Sequence, residues 1–256
     1  MTAIISDDPI RQAVEKNARD ALAEDIGTGD LTAQLLPETL TARARVISRE
    51  EAILCGINWF EACFRQLDPK IHISWHAREG ERIGANQLLC EISGNARALL
   101  SAERPALNFL QTLSGTATLA RHYADAIAGT DAVVMDTRKT LPGLRIAQKY
   151  AVRIGGGANQ RMGLYDGILI KENHITTAGG IRPVLKAAFA LKANAPIQVE
   201  VETLDELKEA LDAGATLILI DNFPLDQMRK AVSLAKGRAI LEASGNITLD
   251  NIRDVA

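Results

Sequence analysis

Apolar residues recur at helical spacing at Ile10, Val14, Ala18, Ala21 and Leu22, which predicts an opening helix. Asp7 or Asp8 would cap it, with Pro9 in its first turn. The stretch Glu24-Asp25-Ile26-Gly27-Thr28-Gly29-Asp30 ends it; its acidic groups could hold a metal, but its composition reads better as an ordinary turn. Alternation then predicts a strand over 42–55, helical spacing a helix over Ile57–Leu67, and alternation again a strand over Ile71–His76. His72, Ser74 and His76 share one face of that last strand, read as solvated rather than metal-binding. A further turn and strand fall within 79–93, so the first third is α+β with mainly antiparallel strands.

From Ala96 the periodicity is helical. Glu103-Arg104-Pro105 interrupts it, and Pro105 marks a helix start or a kink. Leu107, Leu110 and Leu113, then Leu119, Tyr123 and Ile127, have core-facing spacing. After Gly129 strand, loop and helix repeat. Strands are expected at Ala132–Met135, Gly167–Ile170, Ile197–Val201, Leu217–Ile220 and Ala239–Leu241. Helices are expected at Leu144–Ile154, Ile181–Ala193, Leu204–Ala213, Leu225–Ala235 and Leu249–Val255. Such alternation means a parallel sheet or barrel with right-handed crossovers, so the chain mixes α+β and α/β parts.

Composition adds exclusions. The 256 residues are 47% hydrophobic and 24% charged, with net charge −3, so nothing drives the whole chain towards nucleic acid or an anionic membrane. Cys55, Cys63 and Cys90 have neither metal spacing nor an even count and read as reduced core thiols. No apolar run approaches the roughly 18 residues of a membrane helix, and MTAIISDDPIRQ lacks the pattern of a signal peptide. The expectation is a cytoplasmic protein.

Candidate chemistry gathers where the parallel strands end, because βα loops carry function in such folds. The strand ends read Asp136/Arg138/Lys139, Lys171/Glu172/Asn173/His174, Glu200/Glu202, Asp221/Asn222 and Glu242/Ser244. Cations in the first two suit a small anionic substrate. Glu200 and Glu202 share one face of their strand, and with Asp221 they offer carboxylates for Mg²⁺ or for an internal salt-bridge network. Gly155-Gly156-Gly157 could approach an anion or simply end a helix, and Arg161 adds a donor fork. These residues do not choose a reaction; Lys171 could equally form a Schiff base, as in a class I aldolase.

The same residues lie in longer motifs: DIGTGDLT (25–32), ERPALNFLQTLSG (103–115), DTRKTLPGLR (136–145), GGGANQR (155–161), LIKENH (169–174), VEVE (199–202), LIDNF (219–223) and LEASGNI (241–247). Together they resemble the quinolinate phosphoribosyltransferase family, the carboxylating nicotinate-nucleotide pyrophosphorylases, over essentially the whole chain. The resemblance implies an N-terminal α/β sandwich domain (1–115) followed by an open α/β barrel of parallel strands (116–256). It implies that quinolinate and phosphoribosyl pyrophosphate react with Mg²⁺ to give nicotinate mononucleotide, pyrophosphate and CO₂ on the de novo route to NAD. It also implies a dimer or higher homo-oligomer with shared sites. Arg104 from a neighbouring subunit, Arg138, Arg161 and Lys171 would hold the quinolinate carboxylates. Lys139, Glu200 and Asp221 would be the catalytic set serving phosphoribosyl pyrophosphate and its Mg²⁺, the two carboxylates as metal ligands. Thr137, Gln160, Ser244 and Gly245 would complete the substrate-binding set.

Two departures stand out. The family commonly has histidine where this chain has Gln160, which can donate a neutral hydrogen bond but cannot become cationic. Family members also continue past the position of Ala256 with a strand, a glycine-containing phosphate loop and a closing segment. On that reading the chain 1–256 alone turns over weakly or not at all and carries an exposed sheet edge. Rivals are a related phosphoribosyltransferase with another acceptor, such as the homologues associated with molybdenum transport, and a ligand-binding barrel without turnover.

Overall fold

The computed structural model describes residues 7–256, and these form two compact units: 7–125 with 133–160, and 126–132 with 161–256. Asp8 does not cap the opening helix but lies inside it and accepts from Arg11 (2.9 Å), and the side chain of Asp7 lies outside the described residues.

The first unit contains helix α1 (Asp7–Ile26), strands β1 (Thr41–Ile47) and β2 (Ala52–Ile53), helix α2 (Ile57–Leu67), strands β3 (His72–Trp75), β4 (Arg82–Ile83) and β5 (Leu88–Asn95), and helices α3 (Ala96–Ala126) and α4 (Arg145–Ile154). An antiparallel sheet runs β1-β5-β3, with Ala44 and Ile73 both opposite Ile92, and β2 pairs with β4. Alternation puts one face of β5 inward, where Ile92 is buried with Ile73, Phe60 and Phe64. Phe60 lies 5.0 Å from the Phe64 ring and 5.3 Å from that of Trp75. Residues 133–160 belong here because α4 packs on α1. Tyr150 lies 5.4 Å from the buried Trp59 ring, whose indole N–H donates to Asn17 (3.1 Å), and the Asn17 amide donates to the Gly143 carbonyl (3.2 Å).

Several sequence expectations change here. The strand expected over 42–55 is two strands, because the chain turns at 48–51, where the Ser48 hydroxyl donates to the Glu50 carbonyl and Asn86 N–H to the Ser48 carbonyl. Four consecutive polar residues, Ser48-Arg49-Glu50-Glu51, interrupt the alternation there and mark the turn that separates the two strands. Pro105 neither starts nor ends a helix: α3 runs unbroken through it. Its buried stripe (Ala102, Pro105, Ala106, Phe109, Leu110, Leu113, Ala117) supplies packing against the roughly 3 kcal/mol cost of an interior proline. Leu119, expected to face the core, is 55% exposed. It lies with Leu100, Leu40 and Ile47 along an apolar groove of about 1120 Å³ between β1 and α3. The strand expected at Ala132–Met135 is reduced to a single parallel bridge between Met135 and Ala158. The carboxylates expected in a loop at Glu24–Asp30 do turn chemistry: Asp30 accepts the Ala33 N–H and the Ser101 hydroxyl, and these bonds hold its carboxyl below the ordinary range. The Ile71–His76 strand is β3, with His72, Ser74 and His76 exposed.

The second unit is a βα repeat: β6 (Ile168–Ile170), α5 (Glu172–Ala178), α6 (Ile181–Ala190), β7 (Ile197–Val201), α7 (Leu204–Asp212), β8 (Leu217–Asp221), α8 (Leu225–Ala235), β9 (Ile240–Ser244) and α9 (Ile252–Val255). Its four strands are parallel in the order β6-β7-β8-β9. Register divides the sheet by face. Ile170, Val199, Val201, Ile218 and Ile220 point to one side and pack with Leu185, Leu207, Leu211 and Met228 of the helices. Gln198, Glu200, Leu219, Asp221, Glu242 and Ser244 point to the other. The expected final helix is shorter than Leu249–Val255, and α5 is a helix that periodicity did not predict.

The three consecutive glycines settle as a helix end. Gly155 follows α4, and a Cβ there would lie 2.4 Å from the Ala117 carbonyl and 2.6 Å from the Ala120 Cβ of α3. Gly156 has φ +96°, a conformation that disfavours L side chains. Gly155→Ala should therefore destabilise by about 1–3 kcal/mol in urea unfolding. A neutral or stabilising result, as helix propensity alone would give, would mean that α3 and α4 separate freely.

Candidate active site

In the first unit the chemistry centres on Asp136. The segments 134–136 and 158–160 are joined by two backbone bonds, Ala158 N–H to the Val134 carbonyl (2.8 Å) and Asp136 N–H to the Ala158 carbonyl (3.1 Å). The Asp136 carboxylate then collects the Lys149 ammonium, the Gln160 N–H (2.9 Å) and the Asn159 amide. Lys149 has no exposure to solvent, and its ammonium also donates to the Gln160 carbonyl (2.9 Å). The Asn159 amide donates a second bond to the Lys149 carbonyl (2.9 Å), which leaves its buried carbonyl oxygen unpartnered.

Immediately after Asp136 come Thr137, Arg138 and Lys139. The Lys139 N–H donates to the Thr137 hydroxyl (3.0 Å), a local turn that leaves both side chains exposed. The Arg138 side chain is partly buried, and its Nε has no partner in the structure. A buried unpartnered donor beside an exposed lysine suits a carboxylate or phosphate oxygen. Arg104, on α3, is exposed and makes no hydrogen bond or ion pair among the described residues. Gln160 is held by its backbone at both N–H and carbonyl.

In the second unit the polar face of the sheet carries the remaining residues. Lys171, directly after β6, is ion-paired with Glu200 of β7; the Glu200 side chain is 14% exposed and that of Lys171 50%. On β8, Asp221 accepts the Ser244 hydroxyl from the register-paired end of β9 and the Asn222 amide (2.8 Å). Asn222 sits at φ +55° and Asn246 at +54°, and the Asn246 amide donates to the Asn222 side chain (3.2 Å). A Cβ on Gly245 would lie 2.1 Å from that Asn222 oxygen, so the turn after β9 requires glycine there. Arg161 donates to the Gly167 carbonyl (2.8 Å). Glu202, expected to share the Glu200 face, lies past the end of β7 and is exposed.

Glu200 and Asp221 are hard oxygen donors on neighbouring strands and one face. Among the described residues no three His, Cys, Asp or Glu side chains converge as a metal cage. Glu200 and Asp221 could hold a hard cation only together with waters or substrate oxygens. The thiols stand apart from all of this: Cys55, Cys63 and Cys90 are buried, and burial pushes Cys63 and Cys90 up to about 12. Sequence reasoning missed Lys149. It lies two residues from each of Ala147 and Ala151, on the opposite side of α4, and is buried there because the Asp136 carboxylate and the Gln160 carbonyl receive its ammonium.

A parallel sheet with one apolar, helix-covered face and one face of paired lysine, carboxylates and hydroxyl is the scaffold of an α/β enzyme acting on small anions. Family models describing the N-terminal and C-terminal domains of quinolinate phosphoribosyl transferase match residues 30–114 and 116–256. The probable nicotinate-nucleotide pyrophosphorylase (carboxylating) of Bacillus subtilis is 42% identical over 230 residues, spanning 90% of this chain and 80% of the relative. The chloroplastic nicotinate-nucleotide pyrophosphorylase (carboxylating) of Arabidopsis thaliana is 39% identical, spanning 92% and 73%. Among solved structures, the nicotinate-nucleotide pyrophosphorylase from Francisella tularensis superposes with a TM-score of 0.92 at 46% identity, covering 96% of this chain and 87% of that one. The chain belongs to the quinolinate phosphoribosyltransferase family.

The Lys171–Glu200 pair is half-exposed on its lysine side, so its structural contribution is small. Lys171→Met should change unfolding stability by about 1 kcal/mol or less. A loss of several kcal/mol in chemical denaturation would make the pair a structural element instead.

Proposed function

We propose that this chain transfers the phosphoribosyl group of phosphoribosyl pyrophosphate to the nitrogen of quinolinate and then loses CO₂, giving nicotinate mononucleotide and pyrophosphate. Family membership supports the reaction. The observation that carries it to particular residues is the polar face of the parallel sheet, with Lys171 paired to Glu200 and Asp221 held by Ser244. Quinolinate is a dianion, and we assign its carboxylates to Arg138, Arg161 and Lys171, with Thr137 and Gln160 as neutral donors and Arg104 supplied by a second copy. Lys139, Glu200 and Asp221 are assigned to phosphoribosyl pyrophosphate, and Ser244 and Gly245 to the turn that receives it.

In the first step the ring nitrogen forms a bond to the ribose carbon as the bond to pyrophosphate breaks. Positive charge develops at that carbon and negative charge on the leaving oxygens. Lys139 would meet the leaving group, and Glu200 and Asp221 would hold Mg²⁺, which when bound neutralises pyrophosphate. In the second step the carboxylate beside the now-cationic nitrogen leaves as CO₂. The electron pair stays on the ring carbon until it takes a proton. This step needs a fixed ring rather than a nucleophile, so no residue is assigned a covalent role.

The apolar groove between β1 and α3, with Leu100 and Leu119 about half exposed, suits coverage by a second copy of the chain. Three buried free thiols suit a reducing compartment, and we place the reaction in the cytoplasm.

With quinolinate, phosphoribosyl pyrophosphate and Mg²⁺, nicotinate mononucleotide should accumulate, and chelation of the metal should stop it. Nicotinate should not replace quinolinate, and borohydride should trap no substrate on Lys171. Use of nicotinate but not quinolinate would overturn the reading. Light scattering should report a dimer or larger assembly; a monomer at micromolar concentration would remove Arg104 from the site.

A further inference from the structure

The function reading leaves one buried charge unused. Lys149 lies in the middle of α4 and has no solvent exposure. Helix formation in α4 needs no ammonium there, and an apolar side chain of similar length would avoid its desolvation. The group is held by two partners, the Asp136 carboxylate and the Gln160 carbonyl at 2.9 Å. These partners sit on two different segments. The one ending at Asp136 runs straight into Thr137, Arg138 and Lys139. The other ends at Gln160. Backbone pairing between the segments is limited to an isolated bridge at Met135 and Ala158, and beyond it they are tied through the Asp136 carboxylate, which accepts the Gln160 N–H (2.9 Å) and the Asn159 amide and is itself held by Lys149. Asn159 reinforces the clamp by spending its amide on Asp136 and on the Lys149 carbonyl while its own buried oxygen goes unpartnered.

We propose that Lys149 is a positioning residue for the quinolinate end of the reaction, fixing the Arg138 loop and the Gln160 backbone against each other through Asp136. It touches no substrate and acts entirely through these groups. The inference rests on the assignment of Arg138 and Gln160 to quinolinate. Its effect should be larger for quinolinate than for phosphoribosyl pyrophosphate, because of the groups assigned to the latter only Lys139 follows Asp136, whereas Glu200 and Asp221 are held by separate bonds to Lys171 and Ser244.

The test is steady-state kinetics of Lys149→Met beside the unaltered chain, varying each substrate in turn, with circular dichroism to verify folding. The expected result is a KM for quinolinate raised about tenfold or more, with a distinctly smaller rise, about threefold or less, in the KM for phosphoribosyl pyrophosphate through Lys139. Where Lys149→Met fails to fold, Lys149→Met/Asp136→Asn, which leaves no unpaired buried charge, is measured for the same split. Equal changes in both KM values, no change in either, or failure of both variants to fold would assign Lys149 to the fold alone and overturn the inference. An unaltered chain that does not turn over quinolinate would overturn the function reading, and this inference with it.

Discussion

An ammonium sealed from water must be paired, and that requirement shapes the loop that carries Arg138 and Lys139. Lys149 and Asp136 meet with side chains 0% and 7% exposed. Removing one partner of such a buried pair costs about 3–5 kcal/mol, because the other is left charged and unsolvated. The pair binds α4 to the segment before Thr137 and to Gln160. Arg138 and Lys139 thus follow directly on a residue held by a buried ion pair, although β-pairing near them is limited to the Met135–Ala158 bridge.

The parallel unit solves the complementary problem. Its sheet uses the two-residue period of strands to separate a hydrophobic face, filled by Ile170, Val199, Ile218 and Ile220 against helices, from a face of Gln198, Glu200, Asp221, Glu242 and Ser244. Each carboxylate on that face has a partner: Glu200 has Lys171, Asp221 has Ser244 and Asn222, and Glu242 has Gln198. Groups partnered in this way are oriented before a ligand arrives, so little reorganisation accompanies binding.

Much of this was legible in the sequence. The strand Ile197–Val201 and the helix Leu225–Ala235 fall where periodicity placed them, because both are amphipathic or buried along their whole length. The alternating βα repeat gave the parallel order. Where periodicity failed, tertiary packing or a local turn had overridden it: α3 passes through Pro105 because its buried stripe continues, and Ala132–Met135 is apolar yet pairs only at Met135. Site residues after strands were visible as charges in an apolar pattern. Lys149 was not, since a lysine inside an amphipathic helix has no periodic signature of burial. Gly155-Gly156-Gly157 read equally as an anion loop or a helix end until the 2.4 Å approach to the Ala117 carbonyl decided it.

The central claim is that one active site couples phosphoribosyl transfer to loss of a ring carboxylate. Quinolinate labelled in the carboxyl group beside the nitrogen tests it most directly, with released CO₂ and pyrophosphate counted in the same reaction. The account predicts equal amounts of the two, with the label appearing only as CO₂. Pyrophosphate released while the label stays on the nucleotide product would contradict it.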